Sequence, residues 1–156
     1  LDENLRQVWV PCMAEDFSYK RSPFQKRDVL ILAAEFHLEK REIADIRREM
    51  TAHRLDRERK GHYRYPSAGS VFKNNREFGK PTGKIIDELG LRGCSVGGAQ
   101  VAPWHGNIII NTGNAAAADI RELTERVAKK VKDALGYELE PEIIFTGNLE
   151  KKPIII

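Results

Sequence analysis

The sequence predicts an α+β domain in which helices cover a small mixed or antiparallel sheet. Three observations lead there. Helical and strand-like segments are interspersed without a strict strand–helix–strand rhythm. The clearest helix, over 116–136, carries one apolar stripe and needs a partner surface to bury it. The clearest strand, NIIINTGN over 107–114, ends in a glycine turn, which closes an element within a few residues.

Residues 1–27 mix charges with Tyr19, Phe24 and Pro23 and read as irregular structure leading into a strand. DVLILAAEFHL, Asp28 to Leu38, has charge only near its edges and suits a buried strand. From Glu39 to Arg59 the apolar residues Ile43, Ile46 and Met50 recur at helical spacing among charges, predicting an amphipathic helix. YPSAGSVFKNN, Tyr65 to Asn75, reads as a loop rich in small residues.

Thr82 to Gly90 is a short helix with Ile85, Ile86 and Leu89 on its apolar face and Gly90 as its stop. The glycine-rich stretch that follows becomes extended after Gly93. Strand 107–114 and the long helix come next. In that helix Ile120, Leu123, Val127, Val131 and Leu135 form one stripe, acids lie early, lysines lie late, and Gly136 closes it. Tyr137 to Phe145 returns as a strand. Residues 1–147 are read as one domain and 148–156 as a tail that ends in three isoleucines.

Composition narrows the function classes. With 156 residues, 41% hydrophobic and 31% charged, the chain is long enough for one domain with a real core. The net charge of +3 suits an anionic small molecule and is too weak to argue for nucleic acid. Cys12 and Cys94 match no metal spacing or disulfide framework, which fits free thiols in a reducing compartment. No apolar run reaches the roughly 18 residues of a spanning helix, and no signal peptide opens the chain. The four histidines, at 37, 53, 62 and 105, are scattered and make no metal motif. Walker, dinucleotide-fingerprint and paired C-x-x-C motifs are absent.

Two features remain. Residues 40–64 hold many Lys and Arg, balanced by Glu42, Asp45, Glu49 and Glu58. That is a solvated helix face, or else a means of attracting a phosphate-bearing ligand to the loop that follows. Gly90-Leu91-Arg92-Gly93 has the GXXG form with which KH domains clamp nucleic-acid backbone, a pattern also common by chance. Ser70, in a Gly-Ser pair, is by itself a turn residue.

Several segments taken in order change that reading of Ser70. PSAGSVFKN (66–74), GKIIDELGLRG (83–93), GGAQV (97–101), His105 with NIIIN (107–111) and LEPEI (139–143) resemble the C-terminal domain of the UDP-N-acetylenolpyruvoylglucosamine reductase family. FSYKRSPF (17–24) is similar to the tyrosine-basic-serine segment at the start of that domain. Asn75 stands where the family usually has proline, Gly61-His62 where Gln-Pro is frequent, and Lys20 where arginine is commoner.

The resemblance implies a cytoplasmic NADPH- and FAD-dependent oxidoreductase of peptidoglycan precursor synthesis, acting on UDP-N-acetylglucosamine enolpyruvate. It implies that Ser70 is the proton donor and Glu142 the carboxylate assisting at the developing enolate. Asn74, His105 and Lys73 would hold the substrate. FAD would be bound mainly by N-terminal domains of the same protein, which also supply a catalytic arginine. The chain is thus expected to be the C-terminal portion of a longer enzyme, inactive alone, with Leu1 an internal residue or a processed start.

The chemistry suits these residue types. Hydride addition pushes charge toward the substrate carboxylate, which calls for hydrogen-bond donors and then a proton. An ionised Glu142 would repel that charge, so Glu142 is expected to be protonated during turnover. The alternatives are a non-catalytic nucleotide-sugar-binding domain and a KH-like nucleic-acid-binding domain.

Overall fold

The computed structural model describes residues 1–2 and 4–147; the expected tail, 148–156, lies outside them. The chain groups into two units, Leu1–Ile43 and Ala44–Ile156.

In the first unit, FSYKRSPF forms a tight reversal. Ser18 and Arg21 exchange main-chain hydrogen bonds around a Tyr19-Lys20 apex, and Lys20 adopts φ 58°. Phe17 and Phe24 meet edge to face at 6.4 Å. The buried strand expected over 28–38 is not found. Leu30, Ile31, Leu32, Phe36 and Leu38 are all more than half exposed and join no ladder among the described residues. An apolar run becomes a strand only when another strand takes its main-chain groups, and among the described residues Leu30 bonds only to Leu1.

The second unit is α+β as predicted, with an antiparallel sheet. After helix α1 (Ile43–Arg59) come β1 (Ser67–Ser70), α2 (Thr82–Glu88), β2 (Ser95–Val96), β3 (Ala99–Val101), β4 (Ile108–Asn111) and α3 (Ala117–Leu135). The strand order is β1-β4-β3-β2.

β4 lies inside the sheet, and its alternation serves both faces. Ile109 enters the main core with Val101, Ile85, Ile86, Leu123, Val127 and Val131. Ile108 and Ile110 join Ala102 in a second cluster under Trp104. The glycine run resolves into a hairpin: Val96 pairs Ala99 across Gly97-Gly98, with Gly97 at φ 51°. α3 ends as predicted, at Gly136 with φ 72°.

Three further expectations are corrected. α1 begins at Ile43 rather than Glu39 and buries no residue, so it is not amphipathic in effect. Ion pairs one turn apart, Asp45–Arg48, Arg54–Glu58 and Asp56–Lys60, support it instead. Part of the 65–75 loop is strand β1, because β4 offers it a ladder. The strand expected over 137–145 shrinks to a single bridge between Phe72 and Pro141. Proline has no N–H to extend such a ladder.

Gly90-Leu91-Arg92-Gly93 is the turn that ends α2, with Arg92 ion-paired to Asp87 and donating to the Pro103 carbonyl. An arginine so engaged gives no support to the KH-like reading.

Candidate active site

Gly69 creates the site's central irregularity. Ser67 pairs with Ile110 and Ser70 with Ile108, so β1 advances three residues while β4 advances two. The extra residue is a β-bulge, a device that re-aims the side chain beside it. Gly69 sits there at φ 81°, with open space where a Cβ would be. Glycine is therefore required by the backbone conformation rather than by crowding.

Ser70 emerges on the wall of a groove of about 280 Å³, with Asn74, Lys84, Asp87, Arg92, Trp104, His105 and Asn107 among its lining. Ser70 is exposed, and among the described residues no side chain bonds its hydroxyl.

The groove runs between the first turn of α2 and the tight 102–108 loop. Glycines allow that approach. A Cβ on Gly106 would strike the Gly83 carbonyl, and one on Gly83 would lie 3.0 Å from Cε1 of His105. Asn74 closes one end, its Oδ1 accepting from the Thr82 N–H at 2.9 Å and so capping the start of α2.

His105 is half-buried. Its Nδ1 accepts the Asn107 N–H at 3.1 Å, which assigns the proton of the neutral ring to Nε2. Burial pushes its pKa below 6.5, and the charges of His62 and Arg92 push the same way. The His62 ring lies 6.2 Å away. His105 thus faces the groove as a neutral hydrogen-bonding group. Lys84 and Arg92 against Asp87 leave the lining with one surplus positive charge, suited to an anionic ligand.

The structure brings together Ser70, Asn74 and His105. Lys73 does not line the groove and is ion-paired with Glu140. Glu142 does not line it either, but its main-chain N–H donates to Val71 O at 2.7 Å, next to Ser70. Trp104 and Asn107 were not singled out from sequence. Tyr65 stacks on Trp104 at 6.1 Å, and Gly61 packs 3.1 Å from its ring when given a Cβ. A tryptophan next to His105 was the available signal for the first. Nothing local marked the second.

A cavity of this volume sits at the small end for ligand sites. It fits one head of a ligand rather than a dinucleotide, and the Trp104 ring is already covered by Gly61 and Tyr65.

Residues 61–146 match the family model for the C-terminal domain of UDP-N-acetylenolpyruvoylglucosamine reductase. The reductase of Treponema denticola is 51% identical over 145 residues, covering 85% of this chain and 44% of that protein. That of Borreliella burgdorferi is 42% identical over 147 residues, covering 94% and 49%.

A crystal structure of the Thermus caldophilus reductase matches with TM-score 0.53 and 42% identity, over 68% of this chain and 37% of that one. The chain therefore spans less than half the length of these relatives. On the matched model, the identities and the shared fold, it belongs to the UDP-N-acetylenolpyruvoylglucosamine reductase family, through that family's C-terminal domain.

Proposed function

We propose that this chain is the substrate domain of a longer reductase that converts UDP-N-acetylglucosamine enolpyruvate to UDP-N-acetylmuramate, a step of peptidoglycan precursor synthesis. The observation that carries the reading is Ser70, set by a β-bulge on the wall of a groove that also presents Asn74 and neutral His105. The net change at the substrate is a hydride equivalent at the terminal enol carbon and a proton at the carbon bearing the ether and carboxylate. FAD, reduced by NADPH and bound mainly by the N-terminal domains of the same protein, supplies the first; this chain is assigned the second.

Ser70 donates its hydroxyl proton to that carbon. A serine is a weak acid, so its alkoxide needs donors nearby and a refilled proton. His105 donates from Nε2 without adding charge that would vary with pH near neutrality. Glu142 assists at the substrate carboxylate, carried beside the Ser70 segment by its bond to Val71. The surplus positive charge of the lining attracts the phosphate-bearing substrate. We place the enzyme in the cytoplasm, where UDP-sugars are made; no helix among the described residues is long and apolar enough to cross a membrane.

The experiment is Ser70→Ala in the full-length enzyme. Flavin reduction by NADPH is expected at the wild-type rate. Reoxidation by substrate is expected to fall by about 100-fold or more, the scale of a lost proton-transfer group. Wild-type rates in both half-reactions would overturn the assignment. UDP-sugar binding without turnover in the wild-type protein would favour the non-catalytic alternative.

A further inference from the structure

Asn107 is a buried carboxamide that the proposed chemistry does not use. Only 3% of it is exposed, and it stands one residue before β4. Its Oδ1 accepts the Phe72 N–H at 2.9 Å, and its Nδ2 donates to the Phe72 carbonyl at 2.8 Å. Its own carbonyl accepts the Val71 N–H at 2.9 Å, and its own N–H donates to Nδ1 of His105 at 3.1 Å.

These four bonds have a common sense. β1 ends at Ser70, and the chain must leave the sheet while Val71 and Phe72 enter the core. Their main-chain groups then need partners away from water. Asn107 supplies them by acting twice as a strand residue, once with its main chain toward Val71 and once with its side chain toward Phe72. Only a carboxamide offers a donor and an acceptor side by side in this way. A carboxylate loses the donor, and an aliphatic residue loses both.

The locked residues adjoin the chemistry on each side. Val71 follows Ser70 directly, and its carbonyl receives the Glu142 N–H. The fourth bond holds His105 in its Nε2–H form. One side chain and its own peptide groups therefore connect the proposed proton donor, the proposed carboxylate and the groove histidine.

We infer that Asn107 is a positioning residue that sets Ser70 in register with His105 and Glu142. The inference rests on the proton-donor reading of Ser70 given above. Asn107 touches no reacting atom; it acts through the Val71–Phe72 peptide groups.

The test uses the full-length enzyme carrying Asn107→Asp, which keeps the volume and the Oδ1 acceptor but replaces the donor with a second acceptor and adds a buried negative charge facing the Phe72 carbonyl. Flavin reduction by NADPH is expected to be unchanged. Reoxidation by substrate is expected to slow by about 100-fold, the scale of a misplacement near 1 Å. Hydrogen exchange provides a reading independent of turnover. Amides of 71–74 should exchange faster in the variant while those of α3 stay protected. The double variant Ser70→Ala/Asn107→Asp should reoxidise within about threefold of Ser70→Ala alone, because the two substitutions remove one function.

Wild-type reoxidation in folded Asn107→Asp would overturn the inference, as would equal loss of protection in α3 or full multiplication of the two losses. If Ser70→Ala itself reoxidises normally, the proton-donor reading fails. The exchange pattern then still decides whether Asn107 holds the segment.

Discussion

Glu142 and Val71 are joined by a 2.7 Å main-chain hydrogen bond, and Lys73 N–H bonds to Glu140 O at 2.9 Å two residues along. The 140–142 segment thus lies antiparallel to 71–73, with Pro141 opposite Phe72. This pairing carries Glu142 to the Ser70 segment from more than 70 residues away, with Pro141 keeping the contact short. Replacing Glu142 with Ala in the full-length enzyme should slow substrate-driven reoxidation by about 100-fold or more, the low end for loss of one group that stabilises the developing charge, with flavin reduction unaffected. Stopped-flow measurement of the two half-reactions checks this. A variant that slows both equally would place Glu142 outside the substrate step.

Two glycines separate conformational strain from collision. At Gly69 an added Cβ meets nothing within 4 Å, so Gly69→Ala adds only the strain of φ 81°, about 1 kcal/mol. At Gly98 the Cβ would run into the Gly113 carbonyl and Ala115 main chain. Backbone cannot swing aside as a side chain can, and Gly98→Ala should cost about 1–3 kcal/mol or more. Denaturant titration of both variants should therefore rank Gly98→Ala as the more damaging. Gly69→Ala should instead lose more activity than stability, because it straightens the bulge behind Ser70.

Much of the second unit was legible because its elements bury periodic stripes. Leu123, Val127 and Val131 are buried as the helical spacing requires, and Gly136 stops α3. Elements made by pairing were harder to see. Ser67-Ala68-Gly69-Ser70 has no strand-forming side chains, and it becomes a strand only because β4 lies beside it. The reverse holds for 28–38, which has the side chains but no ladder among the described residues. At the site, the small-residue signature led to Ser70. Asn107 stayed hidden because its role depends on burial, and an asparagine opening an isoleucine-rich strand carries no local sign of it.

The core makes a simple stability test. Leu123 is fully buried between α3 and the sheet, among Ile85, Val101 and Val127. Leu123→Ala should cost about 2–5 kcal/mol, the transfer loss plus the cavity left behind. The equivalent truncation on α1, Met50→Ala, should cost less than about 0.5 kcal/mol, since Met50 is 66% exposed. Thermal or urea unfolding of both variants measures the contrast. Similar losses would mean that α1 covers something in solution.

His105 gives the protein a pH dependence whose sign follows from its environment. Its folded-state pKa lies below 6.5, first because the ring is buried and then because His62 and Arg92 add positive charge nearby. The unfolded chain therefore binds this proton more readily than the folded one. Stability from this group is complete above pH 6.5 and is lost as pH falls from there through the lower folded value. His105→Gln, which keeps hydrogen-bonding capacity without titrating, should flatten the unfolding free energy across that window and leave it little changed above pH 7. Urea midpoints measured from pH 7.5 downward decide it. A wild-type curve that rises on acidification would contradict the assigned direction. Arg92→Gln should shallow the slope in part, since it removes one of the two neighbouring charges.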